Sequence, residues 1–192
     1  DLLECPNTGI SSLDGINQLE NLANLDLSEN SISDLSPLSG LGNLVELGLG
    51  TNNVSDLSQL SGLNNLKWLF LDRNSVKDLS PLSGLSNLIQ LNLKFNSISD
   101  VSPLSGLSNL YWLSFKYNSV TDLSPVSGLV GLEHLEIQYN TGITDISALF
   151  NLTNLGVLGL DGNKSILCAD LESLEASLPS AAISRSNSCA GE

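Results

Sequence analysis

Three sets of residues in this chain are of types that do chemistry. His134 stands beside Glu133, Glu136 and Tyr139, and an imidazole with a neighbouring carboxylate can work as an acid–base pair. Asp34, Asp56, Asp78, Asp100, Asp122 and Asp145 recur at steps of 22 or 23 residues, the spacing of a calcium ladder in a repeated fold. Cys5, Cys168 and Cys189 are the three thiols. None of these sets completes a reactive centre. His134 has no accompanying nucleophile, second base or phosphate-binding loop. Each Asp precedes a turn opening with Leu-Ser-Pro or a close variant, where a short carboxylate accepts backbone N–H bonds. A single file of carboxylates ~4.8 Å apart also lacks the clustered oxygens that calcium takes. The cysteines lack zinc spacing. The chain reads as a non-enzyme, with no cofactor and no metal.

The elements that position these residues come from a repeat. Asn30, Asn52, Asn74, Asn96, Asn118 and Asn140 stand 22 residues apart, Asn163 follows after 23, and Asn7 precedes Asn30 by 23. The tetrapeptide Asn-Thr-Gly-Ile at Asn7 and at Asn140 accounts for both longer steps in this reading. Around each Asn the pattern is LxxLxLxxN, as in Leu22 to Asn30. The alternation around Leu25 and Leu27 predicts a short strand. The segment from Asp34 to Leu41 repeats apolar groups every three residues, which suits 3₁₀ turns, and its Pro and Gly oppose a long helix. No single unit can bury its apolar side chains alone, but stacked units can. The fold class is therefore α/β: a right-handed solenoid with a parallel β-sheet on the concave face and 3₁₀ turns on the convex face. A composition of 41% hydrophobic residues is too rich for disorder. No apolar run approaches the ~20 residues of a membrane span.

With LSPLSGLSNL in a 22-residue unit, the chain resembles the leucine-rich-repeat family, and its internalin-like bacterial branch most closely. The resemblance covers Leu2 to about Leu167. It implies an arc that binds partners, usually proteins, on its concave face.

The ends depart from the repeat. Residues 1–167 form the array, with a partial first repeat and seven full repeats from about residue 22; residues 168–192 form a C-terminal cap. In the first turn, Leu2 and Glu4 align with the inward pair, so Glu4 replaces a Leu, and a longer polypeptide is expected. Asp170 to Leu178 reads as a short amphipathic helix, acidic in its first turns. Ala181 and Ile183, 23 residues after Leu158 and Leu160, suggest one more strand. Cys168 and Cys189 bracket this segment and are expected to form a disulfide that closes the end, which places the protein outside the cytosol. Cys5 is left over.

Alternation sends the non-Leu residues of each strand to the concave face. Those positions hold seven of the nine aromatics: Trp68, Phe70, Phe95, Tyr111, Trp112, Tyr117 and Tyr139. They also hold Lys67, Arg73, Lys94 and Lys116, four of the seven basic residues, and the single His134. Arg73, Phe95, Tyr117 and Tyr139 share one column on successive strands, and Trp68 and Trp112 share another. Asp26, Glu29 and Glu46 make the first units acidic, and Gly156, Gly159 and Gly162 leave the last one bare. Exposed aromatic patches containing Arg mark interfaces. The expectation is a monomeric recognition module of an extracellular or cell-surface bacterial protein, with a protein partner at these residues. A glycan partner and an inert structural spacer are the alternatives. The net charge of −14 argues against nucleic acid and against anionic membranes.

Overall fold

Leu25 and Leu27 lie two apart, so on an extended chain both point to one side; the protein repeats this device once per turn. A computed structural model describes residues 1–185. Its strands are β1 (Leu2–Glu4), β2 (Asn24–Asp26), β3 (Glu46–Gly48), β4 (Trp68–Phe70), β5 (Gln90–Asn92), β6 (Trp112–Ser114), β7 (His134–Glu136), β8 (Val157–Gly159) and β9 (Ala182–Ser184). They form one parallel sheet in chain order. At its centre Leu25, Leu47, Leu69, Leu91, Leu113 and Leu135 pair in unbroken register.

Each strand returns to the next through a 3₁₀ turn, such as Ser36–Leu38 or Ser102–Leu104, with Pro at its start in four of the turns. Pro fixes φ for the first turn and gives up an N–H that has no partner there anyway. From the second repeat into the third, Leu57, Leu60, Leu63, Leu66, Leu69 and Leu71 are all 1% exposed or less. Each such burial contributes roughly 1.5–3 kcal/mol, which is why the turns stack. Phe115 takes the inward position of Leu93 and Ile137 and is fully buried.

The recurring Asn closes the bend after each strand. Asn52 Oδ1 accepts the Ile32 N–H at 2.9 Å, and its Nδ2 donates to the carbonyls of Leu27 at 2.9 Å and Leu49 at 3.1 Å. One amide thus joins two turns and satisfies backbone groups that water cannot reach.

Both ends correct the register read from the sequence. Leu3 pairs with Leu25 and Glu4 with Asp26. The inward pair of the first turn is therefore Leu3 and Cys5, both packed on the core, while Leu2 is 63% exposed. Asn7 does not enter the Asn column. Thr8 does, its hydroxyl donating to the Cys5 carbonyl at 2.9 Å, and its backbone N–H meeting Asn30 Oδ1 at 3.1 Å. The extra residue of Asn-Thr-Gly-Ile is real only after Asn140, where His134 pairs with Val157. At the other end α1 (Cys168–Ser177) replaces the 3₁₀ turn and buries Leu171 and Leu174. A helix takes more residues than the turn it replaces. Leu158 therefore pairs with Ile183, two residues later than expected, and the additional strand is β9. Cys189 and the expected Cys168–Cys189 bridge lie outside the described residues. Cys5 is a free thiol. Among the described residues no helix is long and apolar enough to cross a membrane.

Candidate functional site

With Leu filling the inner side of the sheet, the alternate residues of each strand lie on its concave face, where Asn92 and Ser114 are themselves buried. Trp68, Gln90, Trp112 and His134 pair in succession across β4 to β7, and Phe70, Asn92, Ser114 and Glu136 form the column beside them. Both tryptophans, Phe70 and His134 are half-buried, and the His134 ring centroid lies 5.6 Å from that of Tyr111. Tyr111 is 42% exposed. The Glu133 carboxylate beside it, then partial desolvation, raise its hydroxyl above the ordinary value.

Past the strand, the chain must reverse before the structural Asn. The residue before that Asn takes a left-handed backbone: φ is 57° at Glu29 and Thr51, 54° at Arg73, 56° at Phe95 and Tyr117, and 57° at Tyr139. Asn7 and Gly162 occupy the same position at the two ends, with φ of 52° and 78°. Gly and Asn are the residues that enter this region most easily; bulky side chains avoid it. Phe95, Tyr117 and Tyr139 nevertheless sit there and stack. Ring centroids are 4.2 Å apart for Phe95 and Tyr117 and 4.3 Å for Tyr117 and Tyr139, with planes within 9° of parallel. The Arg73 guanidinium lies 4.3 Å over the outer face of Phe95, a cation–π geometry. Partial desolvation and the neighbouring Tyr139 hydroxyl push Tyr117 above the ordinary phenol value.

Charge is segregated along the face. Glu4, Asp26, Glu46 and Asp72, with Phe70 as a wall, surround an open hollow of about 380 Å³ at the N-terminal units. Its floor is Gly48 and Gly50. A Cβ at either would stand 2.7 Å from Asp26 Oδ1 or 2.8 Å from Asp72 Oδ1. Lys67, Arg73, Lys94 and Lys116 follow on the next three units. Lys116 is already neutralised, its Nζ 3.2 Å from the Glu136 carboxylate. The glycines of the last unit are not bare. Gln138 lies in the space that a side chain of Gly159 would fill, and the Tyr139 ring lies in that of Gly162.

The structure brings the stacked column together as the sequence suggested and leaves Lys67 at the edge. The left-handed column was missed; Asn7 and Gly162 at its ends are the signal that could have found it. The Asp column on the turns is occupied by capping: Asp34, Asp56, Asp78, Asp100, Asp122 and Asp145 each accept a Ser N–H two residues on, at 2.8 Å. Among the described residues no group of three or more His, Cys, Asp or Glu side chains could hold a metal.

A family model described as leucine rich repeats (2 copies) matches residues 20–62 and again 64–106. Among solved structures, internalin C2 of Listeria monocytogenes is 39% identical with a TM-score of 0.91, covering 96% of this chain and 80% of that one. An internalin, inlF, of the same organism is 32% identical with a TM-score of 0.76, covering 97% of this chain and 62% of that one. A leucine-rich-repeat protein of Leptospira interrogans is 27% identical with a TM-score of 0.78, covering 88% and 50%. No curated protein sequence matches the chain.

Proposed function

The chain belongs to the leucine-rich-repeat family, in its internalin-like branch, and from that membership we propose that it is a non-catalytic recognition module of a secreted or surface-attached bacterial protein. It binds a protein partner on the solvent face of its sheet. The observation that carries this reading is the stacked column: Tyr117 and Tyr139 remain 38% and 44% exposed on a backbone that disfavours large side chains. Packing alone has no use for rings there, whereas an interface does.

Trp68, Trp112, Phe95, Tyr117 and Tyr139 serve as anchors. Phe70, Tyr111 and His134 complete the apolar ground around them. Arg73, Lys94 and Lys67 supply positive charge, and Lys116 contributes through its pair with Glu136. A disulfide between Cys168 and Cys189, detectable as a linked peptide by non-reducing mass spectrometry, accompanies the extracellular assignment.

The test is affinity capture with wild-type protein and a correctly folded Trp112→Ala variant. Truncating an interface anchor weakens binding by at least ~2 kcal/mol. Undiminished affinity removes Trp112 from the site. If making Trp68, Trp112 and Tyr117 all alanine abolishes no activity, the domain is a spacer.

A further inference from the structure

The column Arg73–Phe95–Tyr117–Tyr139 offers a partner its edges and not its faces. Phe95 has the Arg73 guanidinium 4.3 Å over one face and Tyr117 4.2 Å from it on the other. Tyr117 lies between Phe95 and Tyr139. Tyr139 has its last face against Gly162, where a Cβ would stand 2.5 Å from the ring. A sugar that stacks on an aromatic ring needs an open face; Phe95 and Tyr117 have none, and Gly162 crowds that of Tyr139. Ring edges carry the positive part of the aromatic quadrupole and attract oxygen atoms. The hydroxyls of Tyr117 and Tyr139 add donors, and Arg73 and Lys94 add full charges beside them. Everything the column presents outward is complementary to carboxylate and carbonyl oxygens.

We propose that this column receives an extended acidic peptide segment of the protein partner, laid along the stack and held through its carboxylate and backbone oxygens. The proposal rests on the protein-recognition reading above and names the chemistry of the partner. Three steps of 4.2 to 4.3 Å separate Arg73 from Tyr139; at ~3.3 Å per residue, an extended strand covers that length with about four residues. The net charge of −14 does not forbid such a ligand. At physiological salt the Debye length is about 8 Å, so the carboxylates of the first turns are screened from the column. Asp72 beside Arg73 and Glu136, already paired with Lys116, are the acidic groups within reach of it.

The experiment uses the whole 192-residue chain and three labelled probes: an octapeptide alternating glutamate and glycine, its lysine counterpart, and cellohexaose. Binding is read by fluorescence anisotropy for wild type, Tyr117→Asn, Tyr117→Phe and Arg73→Gln. Asn tolerates the left-handed backbone, so Tyr117→Asn removes the ring and leaves the turn intact; Tyr117→Phe keeps the stack and removes one hydroxyl. The glutamate peptide is expected to bind, tenfold or more weakly to Tyr117→Asn and Arg73→Gln and two- to fivefold more weakly to Tyr117→Phe, with affinity falling as salt rises. Preference for the lysine peptide or for cellohexaose overturns the proposal, as does glutamate-peptide binding unchanged in all three variants. If the glutamate peptide does not bind while partner capture still depends on Trp112, only this inference fails. If both fail, the recognition reading fails with it.

Discussion

Two asparagine ladders run through the molecule, and single residues show how differently they act. Asn140 is fully buried. Its Oδ1 accepts the Val120 N–H at 2.9 Å, and its Nδ2 donates to the carbonyls of Phe115 at 3.1 Å and Ile137 at 3.0 Å. Asn43, in the exposed turn before β3, makes one bond, from Nδ2 to the Glu20 carbonyl at 2.9 Å. Stranding a buried backbone group costs ~1–3 kcal/mol, whereas water replaces a lost bond at the surface. Asn140→Ala should therefore lose about 3 kcal/mol or more of unfolding free energy, and Asn43→Ala less than about 1. Urea denaturation of the two variants measures both, and equal losses would refute the division of labour. Where the asparagines close bends, their column needs no ligand.

At the level of the element, the 3₁₀ turn depends on its Asp. Asp34 accepts the Ser36 N–H at 2.8 Å and the Ser36 hydroxyl at 2.9 Å, and these bonds hold its carboxyl below the ordinary value. A carboxyl lowered in the folded state contributes stability in full above its unfolded value, ~3.9, and loses it as pH falls through the folded value. The difference in urea midpoint between wild type and Asp34→Ala should stay constant from pH 7 to about 5 and shrink below about 4. A difference independent of pH would show that the carboxylate is not the cap. The exposed ladder also has a gap. Asn65, Asn87, Asn109 and Asn154 repeat the bond of Asn43, but Gly131 stands where the next Asn is due, its missing Cβ 3.3 Å from the Ser108 carbonyl. Gly131→Asn should supply the bond and raise stability by ~0.5–1 kcal/mol; a lower urea midpoint would mean that the carbonyl does not yield. These elements were legible in different degrees. Leu25 and Leu27 announce a strand and Pro37 a tight turn, because periodicity and φ restriction are local properties. The register of the first turn was not legible: Asn7 matches the column by identity, yet Thr8 fills it by hydroxyl chemistry. Nor was the left-handed backbone of the stacked column, since Phe95 and Tyr117 are residues that avoid that region, although their shared column was plain from the 22-residue spacing.

For the molecule as a whole, the strand order means that each turn is held by its two neighbours and by nothing more distant. Stability in such an array is close to a sum of nearest-neighbour terms, so opening starts where one neighbour is missing or weak. The two ends are unequal. The first turn brings Leu3 and Cys5 only half-buried, Leu2 is 63% exposed, and Leu19 beside it is 45% exposed. At the other end α1 and its C-terminal cap bury Leu171, Leu174 and Leu178, all 3% exposed or less, before β9 extends the sheet. The centre has complete turns on both sides, with Leu69, Leu91, Leu113 and Leu135 fully buried. Native-state hydrogen exchange of the 192-residue chain should therefore rank its amides. Leu25 and Leu27 should exchange through the cheapest opening, Leu158 and Leu160 through a costlier one, and Leu91 and Leu113 only on global unfolding. Equal protection along the sheet would mean that the array unfolds as one unit. The gradient also bears on recognition: the stacked column from Arg73 to Tyr139 occupies the turns that open last, so its ring spacing survives fraying at either end. Leu3→Ala should accelerate exchange at Leu25 while leaving Leu113 and the affinity for a partner unchanged, whereas Leu91→Ala should weaken both the protection of the centre and the binding.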